Sequence, residues 1–228
     1  MTAPAWVERS RARFAGTLLA GDGGRYPCYF GVEGERKGWN TYTWVEGRAD
    51  LGRLAGELAG FLAESRRRPA ERRSLVCLIG PPRDGAGERS LVADRAEFWR
   101  LLEALHELDV VPWPPGVPTD PAEPRWKFCF AGEPIFVFGL SPAYRDRRSR
   151  AVGDCLAVVF QSELVFAGMG GATPAGRAAK RRVRTLLGEY DTIGPHPALG
   201  DAARPSVHKW RQYFLPDDQS VPERCPFG

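Results

Sequence analysis

The chain has only four lysines, three histidines and two methionines in 228 residues, so a multi-histidine metal site is hard to assemble. No window approaches the roughly 18 consecutive apolar residues of a membrane span. The N-terminal MTAPAWVERSRARF lacks the apolar core of a secretory signal. These absences predict a cytoplasmic protein with no membrane partner. The five cysteines, Cys28, Cys77, Cys129, Cys155 and Cys225, are odd in number and contain no C-x-x-C pair. That argues against a disulfide framework and against a thiolate zinc site, and leaves five free thiols. The phosphate-loop, G-x-S-x-G, H-E-x-x-H and G-x-G-x-x-G signatures are absent as well. Charge of one sign is also in short supply. With 32 basic and 28 acidic residues the net charge is +4, too little for a nucleic-acid binder. Four lysines leave 28 arginines, a bias that fits a GC-rich genome better than arginine-specific chemistry.

What is present suffices for a globular core, with 43% hydrophobic residues. From Ala49 to Arg68, Leu51, Leu54, Leu58, Phe61 and Leu62 recur at helical spacing and arginines close the C-terminal end, where the helix dipole favours cations. Ser74 to Gly80 is a short apolar run stopped by Gly80-Pro81-Pro82, which predicts a buried strand. A second helix is predicted from Ala93 or Asp94 to Asp109, with Phe98, Leu101, Leu102, Leu105 and Leu108 on its core face. Six prolines between Pro112 and Pro124 then forbid helix and central strand. Strands are predicted over Trp126 to Phe130, Pro134 to Phe138 and Cys155 to Gln161, the first two as a hairpin, and also over Tyr26 to Gly31 and Tyr42 to Glu46. A last helix, basic on one side, runs from Thr173-Pro174 to Leu187. The order lacks regular βαβ alternation. It predicts an α+β single domain with a central mixed, largely antiparallel sheet flanked by helices, residues 1–24 forming a helical N-terminal extension to a domain over 25–228.

Three constellations could carry chemistry. His106 borders the core face of the second helix, and Asp109 follows at i+3, where a carboxylate can hold an imidazole tautomer and raise its basicity. The plainer alternative is a half-buried histidine capping its helix end. Arg145, Arg147, Arg148 and Arg150 form the densest positive cluster outside the helices, suited to clamp a carboxylate or phosphate or simply to be a solvated loop. Cys28 and Cys225 are thiols that could ligate iron; otherwise Cys28 is a small buried hydrophobe and Cys225 part of a tail. His196 and His208 sit in turns and read as structural. Gly168 to Gly171 is a weak phosphate-cradle candidate.

Taken in order, RYPCYFG (Arg25 to Gly31), FWRLLEALHELDVVPWP (Phe98 to Pro114), WKFCFAGEPIFVF (Trp126 to Phe138), SPAYRDRRSR (Ser141 to Arg150), Phe160-Gln161, YDTIGPHPALG (Tyr190 to Gly200), KWRQYFLPDD (Lys209 to Asp218) and the terminal RCPF resemble the YqcI/YcgG family. The resemblance implies a haem-dependent monooxygenase, an N-hydroxylase of a guanidino or amine compound such as arginine or a derivative. A non-enzymatic haem or small-ligand binding protein of the same fold is the alternative. The cofactor implied is haem b, bound non-covalently because C-x-x-C-H is missing. The implied partners are a small-molecule substrate and an external electron donor such as a ferredoxin, with a homodimer left open. Asp109 and Tyr144 are the catalytic candidates. Trp113, Trp126, Arg147, Arg148 and Arg150 are the cofactor-binding candidates, and His106, Cys28 and Cys225 the iron ligands. His106 ranks first among the three because a rigid helix carries it together with Asp109. The chain departs from the family pattern at Tyr144, where SPAH is expected, and at Ser162-Glu163-Leu164, where FQPRW is expected after Phe160-Gln161.

Overall fold

The computed structural model describes residues 3–20, 25–80, 90–169, 173–200 and 207–228. Pro81-Pro82, and Gly170 and Gly171 of the glycine-rich candidate, lie outside the described residues. Those residues hold five helices, α1 (Ala5–Ala20), α2 (Tyr29–Arg36), α3 (Leu51–Arg67), α4 (Leu91–Leu108) and α5 (Pro174–Tyr190), and five strands, β1 (Asn40–Val45), β2 (Ser74–Ile79), β3 (Cys129–Phe130), β4 (Glu133–Leu140) and β5 (Leu156–Ser162). The strands form one sheet in the order β1-β2-β5-β4-β3. β1 and β2 are parallel, joined through α3, and every other pairing is antiparallel. This is the α+β architecture the sequence predicts. No helix among the described residues is long and apolar enough to cross a membrane.

Every residue of β2 and β5 is buried, the mark of central strands covered on both faces. Alternate side chains therefore enter two cores. Leu75, Cys77 and Ile79 of β2 and Leu156, Val158 and Phe160 of β5 face α3, α4 and Trp126. Val76, Leu78, Ala157 and Val159 face α1 through Val7, Phe14 and Leu18. The N-terminal helix is thus packed into the second core. On α4 the expected core face is buried at Phe98, Leu101, Leu102 and Leu105, whereas Leu108, the last residue of the helix, is 43% exposed.

Two predicted strands differ. Tyr26 to Gly31 is not a strand: the chain turns at Cys28 into α2, which Lys37–Glu33 pairing at 2.8 Å supports. Gly38 stops α2 at φ 66°, with its N–H on the Glu35 carbonyl. Of Trp126 to Phe130 only Cys129–Phe130 pairs as strand, because the Tyr213 hydroxyl receives the Phe128 N–H at 3.2 Å. The hairpin itself forms. Ala131 and Gly132 have φ of 50° and 76°, the positive values a two-residue turn needs to match strand twist.

Candidate functional site

On the α1 face of the sheet lies a cavity of ≈ 510 Å³, within the size range of small-molecule and cofactor sites. Its floor is β4, whose even-numbered side chains Phe136, Phe138 and Leu140 point this way, beside Gln161 of β5. The segment from Tyr26 to Phe30 forms one wall and α5 another.

Cys28 stands at one end. Burial pushes its thiol up, while the N–H groups of Gly31 and Phe30 and the charge of Arg150 favour the thiolate. Arg150 lies over the Phe138 ring at 5.2 Å and makes no ion pair among the described residues. Asp191, also on this wall, accepts from the Ser149 N–H at 2.6 Å and hydroxyl at 2.9 Å, and burial raises its carboxyl. Along the floor the Lys209 ammonium sits 4.9 Å above the Phe136 ring, near Lys127, Lys180 and Glu163.

Of the candidate catalytic, cofactor-binding and iron-ligating residues, Cys28, Arg147 and Arg150 line this cavity and the others do not. His106 is exposed on α4, across the sheet, edge-on to Trp113 at 5.5 Å and Phe227 at 5.6 Å. Asp109 does not orient it: one carboxylate oxygen accepts the Val111 N–H at 3.0 Å and the other the Ala131 N–H at 2.8 Å, pinning the hairpin turn to the end of α4. Cys225 is half-buried in the α4-side core, and burial raises its thiol to about 11. Trp113 and Trp126 stack at 6.3 Å in that same core, the latter also against Phe227. Tyr144 is buried there too, parallel to Phe214, its hydroxyl donating to the Leu215 carbonyl.

The arginine cluster divides. Arg147 is 1% exposed and commits its guanidinium to backbone carbonyls, Pro216 at 2.9 Å, Asp218 at 2.7 Å and Gly194 at 3.4 Å. Arg148 is exposed, over Tyr190 at 5.3 Å. Only Arg150 of the cluster faces the cavity with a guanidinium not held by strong bonds, its two carbonyl contacts both being 3.4 Å. Sequence reasoning missed Lys209 and Asp191, and met Glu163 only as a departure from the family pattern. For Lys209 a signal existed: three of the chain's four lysines, Lys127, Lys180 and Lys209, line this one cavity. Among the departures from the family pattern, Glu163 reaches the cavity and Tyr144 does not.

The fold and this site define an α+β protein with a cation-rich, aromatic-floored cavity that carries a cysteine. The chain belongs to the YqcI/YcgG family, whose pattern matches residues 14–228. It is similar to YcgG of Bacillus subtilis, at 35% identity over 99% of this chain and 89% of that protein. YqcI of the same organism is 33% identical over 68% of this chain and 60% of its own length. A Streptomyces lavendulae protein named "Putative N(omega)-hydroxy-L-arginine synthase DcsA" is 30% identical over 89% of this chain and 77% of its own. No solved structure matches.

Proposed function

We propose that this chain is a haem-dependent monooxygenase that N-hydroxylates a guanidino or amine compound, arginine or a derivative, with haem b in the cavity and Cys28 as the iron's ligand. The observation that carries the reading is the position of Cys28. Of the three candidate ligands Cys28 alone lines the cavity. Among the described residues no group of three or more His, Cys, Asp or Glu could hold a bare metal ion. An iron already held by a macrocycle would need one protein donor, a role the Cys28 thiol could fill. The residues fit in other respects too: aromatic rings for a flat apolar body, and Arg150 for a carboxylate. The reaction in the name of the Streptomyces lavendulae relative supports the same class.

Bound haem would supply the dioxygen-activating redox chemistry that no side chain can. The chain's own residues do the rest. The Gly31 and Phe30 N–H groups stabilise negative charge on the Cys28 sulfur, which would favour the thiolate that holds the iron. Phe136 and Phe138 keep water from the floor of the cavity. Asp191 is a carboxylate of the kind that pairs with a guanidinium. A monooxygenase reduces the second oxygen atom to water with two protons from solvent and two electrons, and an external donor such as a ferredoxin would deliver the electrons.

Absorption spectra of haem-reconstituted protein test the reading. The reduced carbon monoxide complex should carry a thiolate-type Soret band like that of a P450, not the histidine type of a globin. Cys28→Ser should abolish that band, while His106→Ala and Cys225→Ser retain it. No Soret band at stoichiometric haem, or a histidine-type band lost in His106→Ala, would overturn the proposal.

A further inference from the structure

We propose that the Lys209 end of the cavity is a carboxylate-binding subsite, with Lys209 as the contacting cation and Lys127 and Lys180 setting the potential around it. The inference takes the cavity to be the ligand site of the proposed function but rests on its own observations. The chain uses arginine for 28 of its 32 basic residues, so a genome-wide preference for arginine does not account for lysine at three positions of one cavity. A lysine offers a compact point charge on a flexible stem, free of the planar, forked partner that a guanidinium favours. That suits a ligand group that arrives and leaves.

Geometry picks Lys209 among the three. Its ammonium is held 4.9 Å from the Phe136 ring and 6.0 Å from the Phe166 ring, where the ring faces attract a cation and fix its place. Glu163, the nearby carboxylate, is bonded at 2.5 Å by Lys127. Among the described residues Lys209 has no carboxylate within ion-pair distance. A half-buried ammonium in that position shares its nearest carboxylate, Glu163, with Lys127, and an incoming carboxylate supplies a partner of its own.

The floor gives the subsite a direction. Lys209 sits over Phe136 and Arg150 over Phe138, two residues on along β4, a separation of roughly 7 Å at strand rise. A carboxylate held by Lys209 therefore extends the remainder of its ligand along two aromatic rings toward Arg150, Cys28 and Asp191. Asp191 and Glu163 are the two acidic residues of the lining, and Asp191 lies on the wall beside Ser149 and Arg150. A ligand anchored by its carboxylate at Lys209 meets both a cation, Arg150, and a carboxylate, Asp191, toward its other end.

The carboxylate has two possible sources, a haem propionate or the substrate itself, and paired titrations separate them. Haem-free protein is titrated calorimetrically with L-arginine and with agmatine, which keeps the guanidinium and lacks the carboxylate. In parallel, haem and haem dimethyl ester are titrated spectroscopically. In at least one pair the wild type should prefer the carboxylate form roughly tenfold or more, and Lys209→Met should erase that preference with little change for the partner lacking it. Discrimination in the arginine pair assigns the subsite to substrate, and in the haem pair to a propionate. Lys180→Met, at an exposed position on α5, should weaken the same preference by about two- to threefold and serves if Lys209→Met does not fold. Carboxylate preference unchanged in the folded variants, or absent from the wild type in both pairs, would overturn the inference. Lys209-dependent arginine binding by a protein that takes up no haem would leave the inference standing and remove the proposed function.

Discussion

Asp191 ties the end of α5 to the arginine-rich loop by accepting two hydrogen bonds from one residue, the Ser149 backbone N–H at 2.6 Å and the Ser149 hydroxyl at 2.9 Å. Both partners are buried and both lie on the cavity wall. Asp191→Ala would leave two buried donors unmatched, at a cost of about 2 kcal/mol or more. Asp191→Asn keeps an acceptor and should lose less. Urea midpoints at constant m-value measure both; an alanine variant equal to wild type would show that water replaces the carboxylate.

Arg147 and Arg148 are adjacent, yet their substitutions should behave very differently. Arg147→Ala strips the carbonyls of Pro216, Asp218 and Gly194 of a buried charged donor, and should cost about 3 kcal/mol. Arg147→Lys should not rescue it, because one ammonium cannot reproduce the planar fork. Arg148→Ala, at an exposed site, should fall within about 0.5 kcal/mol of wild type. Equal effects of the two alanine variants on thermal unfolding would contradict this division.

His196 should make stability depend on pH. It is fully buried; the Ala198 N–H can only donate, so Nδ1 accepts it at 3.0 Å and the proton sits on Nε2, 2.8 Å from the Ser220 carbonyl. Burial holds the imidazole below its usual value, the Ser220 contact opposing and Arg147 reinforcing the shift. The unfolded chain therefore binds the proton at higher pH than the folded one. The contribution is fully present above about pH 6.5 and is lost as pH falls through the folded value. His196→Asn keeps an acceptor for Ala198 and does not titrate, so its stability should vary less between pH 7 and pH 5. Denaturation series showing the same pH slope in both proteins would refute this.

Gly139 should resist substitution. A Cβ there would lie 2.4 Å from the Phe214 ring and 3.1 Å from the Phe98 ring, both buried and packed together at 5.5 Å. The Gly139 N–H also donates to the Tyr213 carbonyl at 2.7 Å, so the strand has little freedom to retreat. Gly139→Ala should cost about 1–3 kcal/mol by overpacking. A melting temperature equal to that of wild type would show that the rings can move aside.

Much of the architecture was written in local pattern. The 3.6-residue recurrence of Leu54, Leu58, Phe61 and Leu62 made α3, and the unbroken apolar runs at Ser74 and Leu156 made the two central strands, because burial on one face or on both leaves a periodic trace. The turn into α2 left a weaker trace, since Pro27-Cys28-Tyr29-Phe30 reads equally as strand until Gly34 packs against Asn40 and Gly38 turns the chain at positive φ. The motifs that mark the family were equally legible, being short runs of residues in order.

The site was not legible, because periodicity says that a face is buried and not which other face it meets. His106 and Asp109 share one helix and so invited pairing, but the hairpin turn at Ala131 takes the carboxylate, and α4 lies across the sheet from the cavity. Arg147 resembles its neighbours in sequence, and only the return of the chain 47 to 71 residues later, with the carbonyls of Gly194, Pro216 and Asp218, makes it structural. Cys28, Arg150, Asp191 and Lys209 come from four distant segments and meet because the sheet order, set by long-range strand pairing, brings β4 beneath α5 and the Tyr26–Phe30 segment. Composition carried one hint of this, the scarcity of lysine; its meaning depends on where the lysines converge, which is a property of the tertiary structure alone.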